Sequence, residues 1–356
     1  MLLGGCWPYA AQADAKATAV FLNPGSSNEF FWVGFTDFMR AAAVDLGIDL
    51  KVEYAERDPQ TTLAQVRAIV KSGNTPDYLV FTNENYVAPE VLRLTTGTDI
   101  KLFVLHNQLT VEQQQFTGGA REKYPNWIGS AVANNEQAGY LTAKALLEQH
   151  PNLSEIVAVS GNRQTPVAQE RVAGLMRALD EYPYVTLHQV VQGNWLRQRS
   201  KEQVSKLIKR YPSVRLIWTA SDEMAFGAIE AMQARDLVAG QDFYVATMNN
   251  SQAVLRARLD GSISALAAGH FTLGGWAMVM LADHANGVDF AQFGGAEQRF
   301  NLFQLLDDTQ SATLLQRVKE ADYAIDFNAF SARSADFTGR YRFTLTPLLS
   351  AQTFAK

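Results

Sequence analysis

The amino-acid sequence predicts an α/β fold made of two doubly wound, parallel-sheet lobes. Three observations point there. From Thr18 onward strand-like apolar runs alternate with amphipathic helical patterns; the alternation restarts near Ile128 in the same order; and 356 residues suffice for about two domains.

Thr18 to Asn23 (TAVFLN) reads as the first strand. After a loop, Phe31, Phe35, Phe38, Met39, Ala42 and Leu46 recur at helical spacing up to Gly47. Leu50 to Tyr54 is a second strand, Leu63, Val66, Ile69 and Val70 mark a helix stopped at Gly73, and Tyr78 to Thr82 is a third strand. Val87 to Thr95 and Lys101 to Leu105 continue the alternation, so the first five strands and their helices fit one lobe.

The second series begins near Ile128. Asn134 can cap a helix carrying Ala138, Leu141, Ala145 and Leu146; Ile156 to Ser160 is a strand; Val172, Leu175, Met176 and Leu179 mark the next helix. Val185 to Val191, Val204 to Ile208, Val214 to Trp218, Met224 to Met232 and Phe243 to Thr247 then read as strand, helix, strand, helix, strand. Gly274 to Ala285 is a further helix and Arg299 to Leu306 a strand. Beyond Asp307 the aromatic residues Tyr323, Phe327, Phe330, Phe337, Tyr341 and Phe343 predict a tail packed onto the lobes.

Composition narrows the function. A formal charge of −5, from 31 basic and 36 acidic residues without long runs, shows no footprint for nucleic acid or an anionic membrane. Met1 to Ala13 ends in Ala11-Gln12-Ala13, an A-x-A cleavage pattern, and reads as the end of a secretory signal, which places the protein in the periplasm. The sole cysteine, Cys6, lies in Leu3-Gly4-Gly5-Cys6, and lipoprotein anchoring is the competing reading of that segment. Either way the body of the protein has no disulfide, thiolate nucleophile or cysteine metal site.

Catalytic motifs are not found. The sequence has no G-x-x-x-x-G-K-[ST] loop, no G-x-G-x-x-G after the first strand and no G-x-S-x-G elbow. His106, His150, His188, His270 and His284 show neither H-x-x-x-H nor H-x-H spacing. The pairs Asp222-Glu223 and Asp307-Asp308 fall at element ends, where capping and solvation account for them better than acid/base chemistry. No enzyme, cofactor or metal is expected.

Four stretches carry a family likeness: Asn28-Glu29-Phe30-Phe31; Gly161 through Gln169-Glu170-Arg171-Val172-Ala173-Gly174; Trp218 through Ser221-Asp222-Glu223-Met224-Ala225-Phe226-Gly227-Ala228; and Leu273-Gly274 with Ala277. Together they resemble the type I periplasmic binding proteins, the ribose and galactose group that shares its core with lactose-repressor-like regulators. The likeness covers roughly residues 18 to 306. It implies three crossing strands, near Ala131, Gly269 and Phe300, that join the lobes as a hinge. The implied division is 1–17 a signal remnant, 18–130 plus 271–299 one lobe, 131–270 plus 300–306 the other, and 307–356 an extension.

Carried onto this sequence, the likeness implies a ligand cleft. Asn28, Phe30 and Phe31 would be its polar contact and aromatic wall on the first lobe, with Thr82 or Asn83 after the third strand and His106 and Asn107 after Leu105. Arg171, Trp195, Ser221 beside Asp222, and Asn249 would face them from the second lobe, and His270 beside the second crossing is counted with them. Aromatic faces suit the C–H faces of a sugar ring, and Asn, Ser and Arg suit its hydroxyl rim. Alternatives stay open: Arg171 as an exposed helix residue or an interlobe salt bridge, and His106 and His270 as satisfied structural histidines.

The chain departs from the ribose binders at His106-Asn107, where they set an acid beside a base, and at Asn249, where they have an acid. With Arg171 and few acids, an oxygen-rich or carboxylated guest is a further reading. The implied function is a monomeric solute receptor that closes on a small sugar-like molecule and delivers it to an ABC permease. The alternative is a receptor that signals to a membrane kinase or cyclase, a reading the long aromatic tail favours. A repressor would need a helix-turn-helix domain of about 60 residues before the first strand, where 17 stand.

Overall fold

The computed structural model describes residues 17–350; the expected signal segment and Cys6 lie outside them. Among the described residues no helix is long and apolar enough to cross a membrane. Strands β1 (Thr18–Asn23), β2 (Asp49–Tyr54), β3 (Tyr78–Phe81), β4 (Lys101–Leu105) and β5 (Trp127–Ala133) alternate with helices α1 (Phe30–Asp45), α2 (Pro59–Lys71), α3 (Ala88–Leu94) and α4 (Val111–Thr117). A second series follows: α5 (Asn135–Gln149), β6 (Glu155–Ser160), α6 (Pro166–Asp180), β7 (Thr186–Gln192), α7 (Arg197–Arg210), β8 (Leu216–Thr219), α8 (Asp222–Gln233), β9 (Tyr244–Met248), α9 (Gln252–Leu259) and β10 (Ala265–Ala268). The chain ends with α10 (Leu273–Ala285), β11 (Glu297–Phe300), β12 (Gln304–Leu305), α11 (Asp308–Glu320) and α12 (Thr346–Leu349).

The strands form two sheets, ordered β11-β5-β4-β3-β1-β2 and β12-β10-β9-β8-β6-β7. Their pairings are parallel except the antiparallel β10 with β12. Helices cover both faces of such sheets, which is why central strands are apolar without alternation: every residue of β3 (YLVF), β5 (WIGSAVA) and β8 (LIWT) is buried. The edge strands β2 and β7 are partly exposed.

Sheet membership shows the chain crossing between lobes after Ala133, at Gly269 and between Phe300 and Gln304. The crossings lie side by side. Asn134 N–H donates to Phe300 O at 2.8 Å, Asn134 Nδ2 donates to Asn301 Oδ1 at 2.9 Å, and a Cβ on Gly269 would come within 1.9 Å of Leu302 O. Pairing carries the first sheet through Ala133 and Phe300, past the boundaries of 130 and 299 expected from the sequence.

The strand expected over 299–306 is two short strands in different sheets, because one strand cannot hydrogen-bond to both lobes while crossing between them. The sequence reading passed over β10 and the helices α4, α9 and α11. β10 is ALAA, of low strand propensity, chosen where α5 lies close above the sheet. α11 has a capping box: Asp307 accepts from Gln310 N and the Gln310 side chain accepts from Asp307 N.

The tail binds both lobes. α11 packs on α9, where Arg258 meets Asp308 at 2.9 Å and donates to Leu306 O at 3.3 Å. From Tyr323 the chain lies on the first lobe: Tyr323 and Phe327 pack edge-on to Phe38 at 4.8 and 5.2 Å, and Phe330 and Phe343 contact Trp276 at 4.8 and 4.9 Å. The buried Asp283 of α10 accepts hydrogen bonds from Ser331 Oγ, Ala332 N–H (2.8 Å) and Tyr341 OH (2.7 Å).

Candidate functional site: an aromatic cleft between the lobes

The loops that follow the parallel strands of both sheets face each other, the position at which open α/β sheets bind ligands. They enclose a cavity of about 600 Å³. That lies within the usual range for small-molecule sites, roughly 300–1,000 Å³.

On the first lobe, the start of α1 supplies Asn28, Phe30 and Phe31. Phe30 is 71% exposed at the mouth, whereas Phe31 is half-buried and stacks on His270, with ring centres 4.6 Å apart and planes 17° apart. Phe303 stacks on His270 from the other side at 4.6 Å. His106 lies 5.5 Å from Phe31 and 5.1 Å from Trp32. His106 has φ +69°, and Asn107 N–H donates to Leu105 O at 2.8 Å, a γ-turn of the strained kind centred on His106.

Beside these rings Arg57 bridges two carboxylates. It donates to Glu29 through Nε at 2.9 Å and to Glu84 through Nη1 at 2.9 Å. The other oxygen of Glu84 accepts from Asn107 Nδ2 at 2.9 Å. Burial pushes the Glu84 carboxyl upward, against the pull of Arg57.

The second lobe supplies Arg171 from α6, Trp195 after β7, Ser221 and Asp222 after β8, and Asn249 after β9. Arg171 is buried, donating to Asn135 Oδ1 at 3.1 Å and to Ala220 O at 2.6 Å. Its guanidinium lies 5.7 Å from the ring centres of both Trp195 and Phe303. Burial pushes its pKa down to about 9, so it is charged at neutral pH, and among the described residues no carboxylate lies within ion-pair distance of it. α6 reaches this depth because two glycines let it cross α5 closely: a Cβ on Gly139 would sit 1.9 Å from Arg171 O, and one on Gly174 1.9 Å from Glu136 O.

Asp222 is also buried; its Oδ1 accepts from Asn249 Nδ2 at 2.6 Å, and burial pushes its pKa upward. The solvation expected for Asp222 therefore fails, although its Oδ1 also accepts from Glu223 N–H in the first turn of α8 at 2.9 Å, and Asp307 caps α11. Burial, followed by repulsion from Arg171 and Arg57, pushes His106 down to about 3. Burial, then Arg171 and His106, holds His270 well below the usual histidine range.

Several lining groups have a sealed polar atom with no protein partner: Trp32 Nε1, His106 Nδ1, Ser221 Oγ, Asn249 Oδ1 and His270 Nδ1. Such atoms are rare in cores. The lobes also touch across the cleft, where Val167 N–H donates to Asn107 Oδ1 at 3.3 Å and Arg299 Nη2 donates to Glu170 Oε1 at 2.9 Å. The interlobe salt bridge thus belongs to Glu170, the neighbour of Arg171.

Of the expected site residues, Asn28, Phe30, Phe31, His106, Asn107, Arg171, Trp195, Ser221, Asp222, Asn249 and His270 line the cavity. Thr82 and Asn83 do not. Thr82 is buried beneath it, and the Asn83 side chain is spent on the backbone, accepting from Ala88 N–H at 3.0 Å and donating to Gln108 O at 2.9 Å. The loop rises only after this turn, so Glu84 and Asn85 reach the cavity instead. Sequence reasoning also missed Glu29, Arg57, Asn162 and Asn194. Arg57, Glu84, Asn162 and Asn194 each follow a strand within three residues, so a strict reading of strand ends would have found them.

Comparison with known proteins agrees with this geometry. A family model described as "Periplasmic binding protein domain" matches residues 19–289. The solved structure of a periplasmic sugar-binding protein from Pseudomonas fluorescens is 44% identical, covers 94% of this chain and 100% of its own, and superposes with a TM-score of 0.86. The galactofuranose-binding protein YtfQ of Escherichia coli (strain K12) is 22% identical over 264 residues, 72% of this chain and 80% of that protein. A solved galactofuranose binding protein, 19% identical, shares the fold with a TM-score of 0.72 over 86% of this chain and 100% of its own. With two parallel-dominated sheets, three crossings and a cleft at the strand ends, the chain belongs to the periplasmic binding protein family, in its type I fold.

Proposed function

We propose that this protein is a periplasmic solute receptor that closes on a small sugar-like molecule, leaves it chemically unchanged and, as a monomer, presents it to an ABC permease. The supporting observation is the cleft itself: facing aromatic rings from two lobes, interleaved with buried polar atoms that lack a protein partner. A sugar ring offers apolar C–H faces to Phe31 and Trp195 and oxygens and hydroxyls to Arg171, Asp222, Ser221 and Asn249. A micromolar grip needs about 8 kcal/mol, which several hydrogen bonds of about 1 kcal/mol and two buried ring faces supply after ordering costs.

The relatives, a sugar-binding and a galactofuranose-binding protein, support the same ligand class. The tail, which on sequence favoured a signalling receptor, has aromatic residues packed on Phe38, Trp276 and Phe300 within the molecule. That reading has no structural feature of its own. A thermal-shift screen against D-galactose, D-ribose, L-arabinose, sugar acids, polyols, amino acids and peptides tests the proposal, because a ligand of the folded state raises the melting temperature by mass action. Stabilisation by a sugar or polyol is expected; stabilisation by amino acids or peptides alone overturns it.

A further inference from the structure

His106 and His270 form a unit within the cleft. Their rings are 6.1 Å apart and 26° from parallel, and Phe31 touches both. They are 6% and 1% exposed. We propose that the two imidazoles act together as uncharged N–H donors that receive the acceptor-only edge of the guest, its ring oxygen, and so select a cyclic sugar over a carbocycle of the same shape. This rests on reading the cleft as a sugar site.

The tautomer decides what each ring can offer a guest. A neutral imidazole carries one N–H and one lone-pair nitrogen. In both residues Nδ1 is sealed from solvent without a partner. A buried N–H left unpaired is rarer and costlier than an unused acceptor lone pair, so the proton belongs on Nε2 in both rings. Among the described residues neither Nε2 has a hydrogen-bond partner, and both residues line the cavity, so each Nε2–H is free to meet a guest.

Both rings stay neutral because burial and the nearby Arg171 and Arg57 disfavour a further positive charge. Their orientation is also held. The γ-turn aims His106, and the stack of Phe31, His270 and Phe303 fixes the plane of His270. A hydroxyl both donates and accepts, whereas a ring oxygen only accepts. Two fixed donors on one edge therefore fit the ring oxygen, while the Asp222 carboxylate, which lines the cavity from the second lobe, fits hydroxyl protons.

The test uses D-galactose, D-ribose and L-arabinose, each beside its carba-analogue in which a methylene replaces the ring oxygen. Calorimetry on the wild-type protein should show the bound sugar preferred by about ten-fold or more. His106→Phe and His270→Phe keep the aromatic contacts and should shrink that preference to about two-fold or less, while circular dichroism checks that each variant folds. Nitrogen-15 NMR of the wild-type protein reads the tautomers without any substitution: Nε2–H in both rings is expected. Equal affinity for a sugar and its carba-analogue, or an Nδ1–H tautomer or imidazolium in either ring, overturns the donor pair and leaves the sugar site standing. Binding of polyols with none of the three sugars overturns the donor pair alone, and failure of every sugar and polyol of the thermal-shift screen overturns the sugar site itself, and the pair with it.

Discussion

The indole of Trp195 lies against the backbone of Gly161, so closely that a Cβ on Gly161 would fall 2.0 Å from Trp195 Cζ2. Trp195 is held there with φ +66° after Asn194 at φ +54°, and the Arg171 guanidinium lies 5.7 Å from its ring centre. Among the described residues twelve non-glycine residues have positive φ, and six of them line the cleft. Strain of this kind gathers where a side chain must be aimed.

Gly161→Ala is therefore expected to push the indole out of place and weaken sugar binding by about ten-fold or more, with folding little changed. Calorimetry with the sugar found in the thermal-shift screen, together with a melting curve, checks this; unchanged affinity would show that the indole position does not matter to the ligand.

Trp195→Ala should cost binding more than about 1 kcal/mol if the indole covers a ring face. Retention of wild-type affinity would remove Trp195 from the site.

Arg171→Ala is expected to lose affinity and stability together. A solvent-facing arginine would affect binding alone, but this one is buried and bonded to Ala220 O and Asn135 Oδ1. Leaving those acceptors unpaired costs about 1–3 kcal/mol each at most. Denaturant unfolding at matched pH measures the stability loss, and an unaltered midpoint would contradict the buried placement.

Acid should destabilise the protein through His106 and His270. Burial, with Arg171 adding repulsion, keeps both far below their ordinary 6.5 in the folded state. The unfolded chain takes up protons there first, so stability falls as pH drops below about 6.5, by up to about 1.4 kcal/mol per pH unit for each histidine. Glu84 and Asp222, raised by burial, act in the opposite sense, because their folded forms bind protons more readily than the unfolded chain. His270→Phe should therefore flatten the acid slope in urea unfolding at pH values of about 6.5, 5.5 and 4.5. Parallel slopes for variant and wild type would show that His270 is not held neutral.

Asp283→Asn should loosen the tail. The carboxylate accepts three hydrogen bonds from it, and an amide can replace the acceptor on one side only. A loss of about 1–3 kcal/mol is expected, with faster proteolysis between residues 323 and 345. Protease resistance equal to wild type would place the anchoring of the tail in its aromatic contacts.

Much of this protein is legible in its residues. Strand and helix periodicity, read from Thr18 to Ala285, specified the α/β class and the two series, because burying one face of a helix or both faces of a parallel strand leaves a mark in local sequence. The family likeness marked Arg171, Trp195, Asp222 and Asn249 for the cleft, and the last three each follow a strand within three residues. Local sequence misplaced Thr82 and Asn83, which differ from Glu84 and Asn85 by one turn of loop, and it merged two strands across Asn301, where the chain changes sheets. Charge and partnership were decided by the tertiary structure alone. Whether His106 is neutral, whether Arg171 has a carboxylate beside it, and which buried nitrogen lacks a partner depend on groups up to hundreds of residues apart, brought together when two sheets and three crossings fold around one cavity.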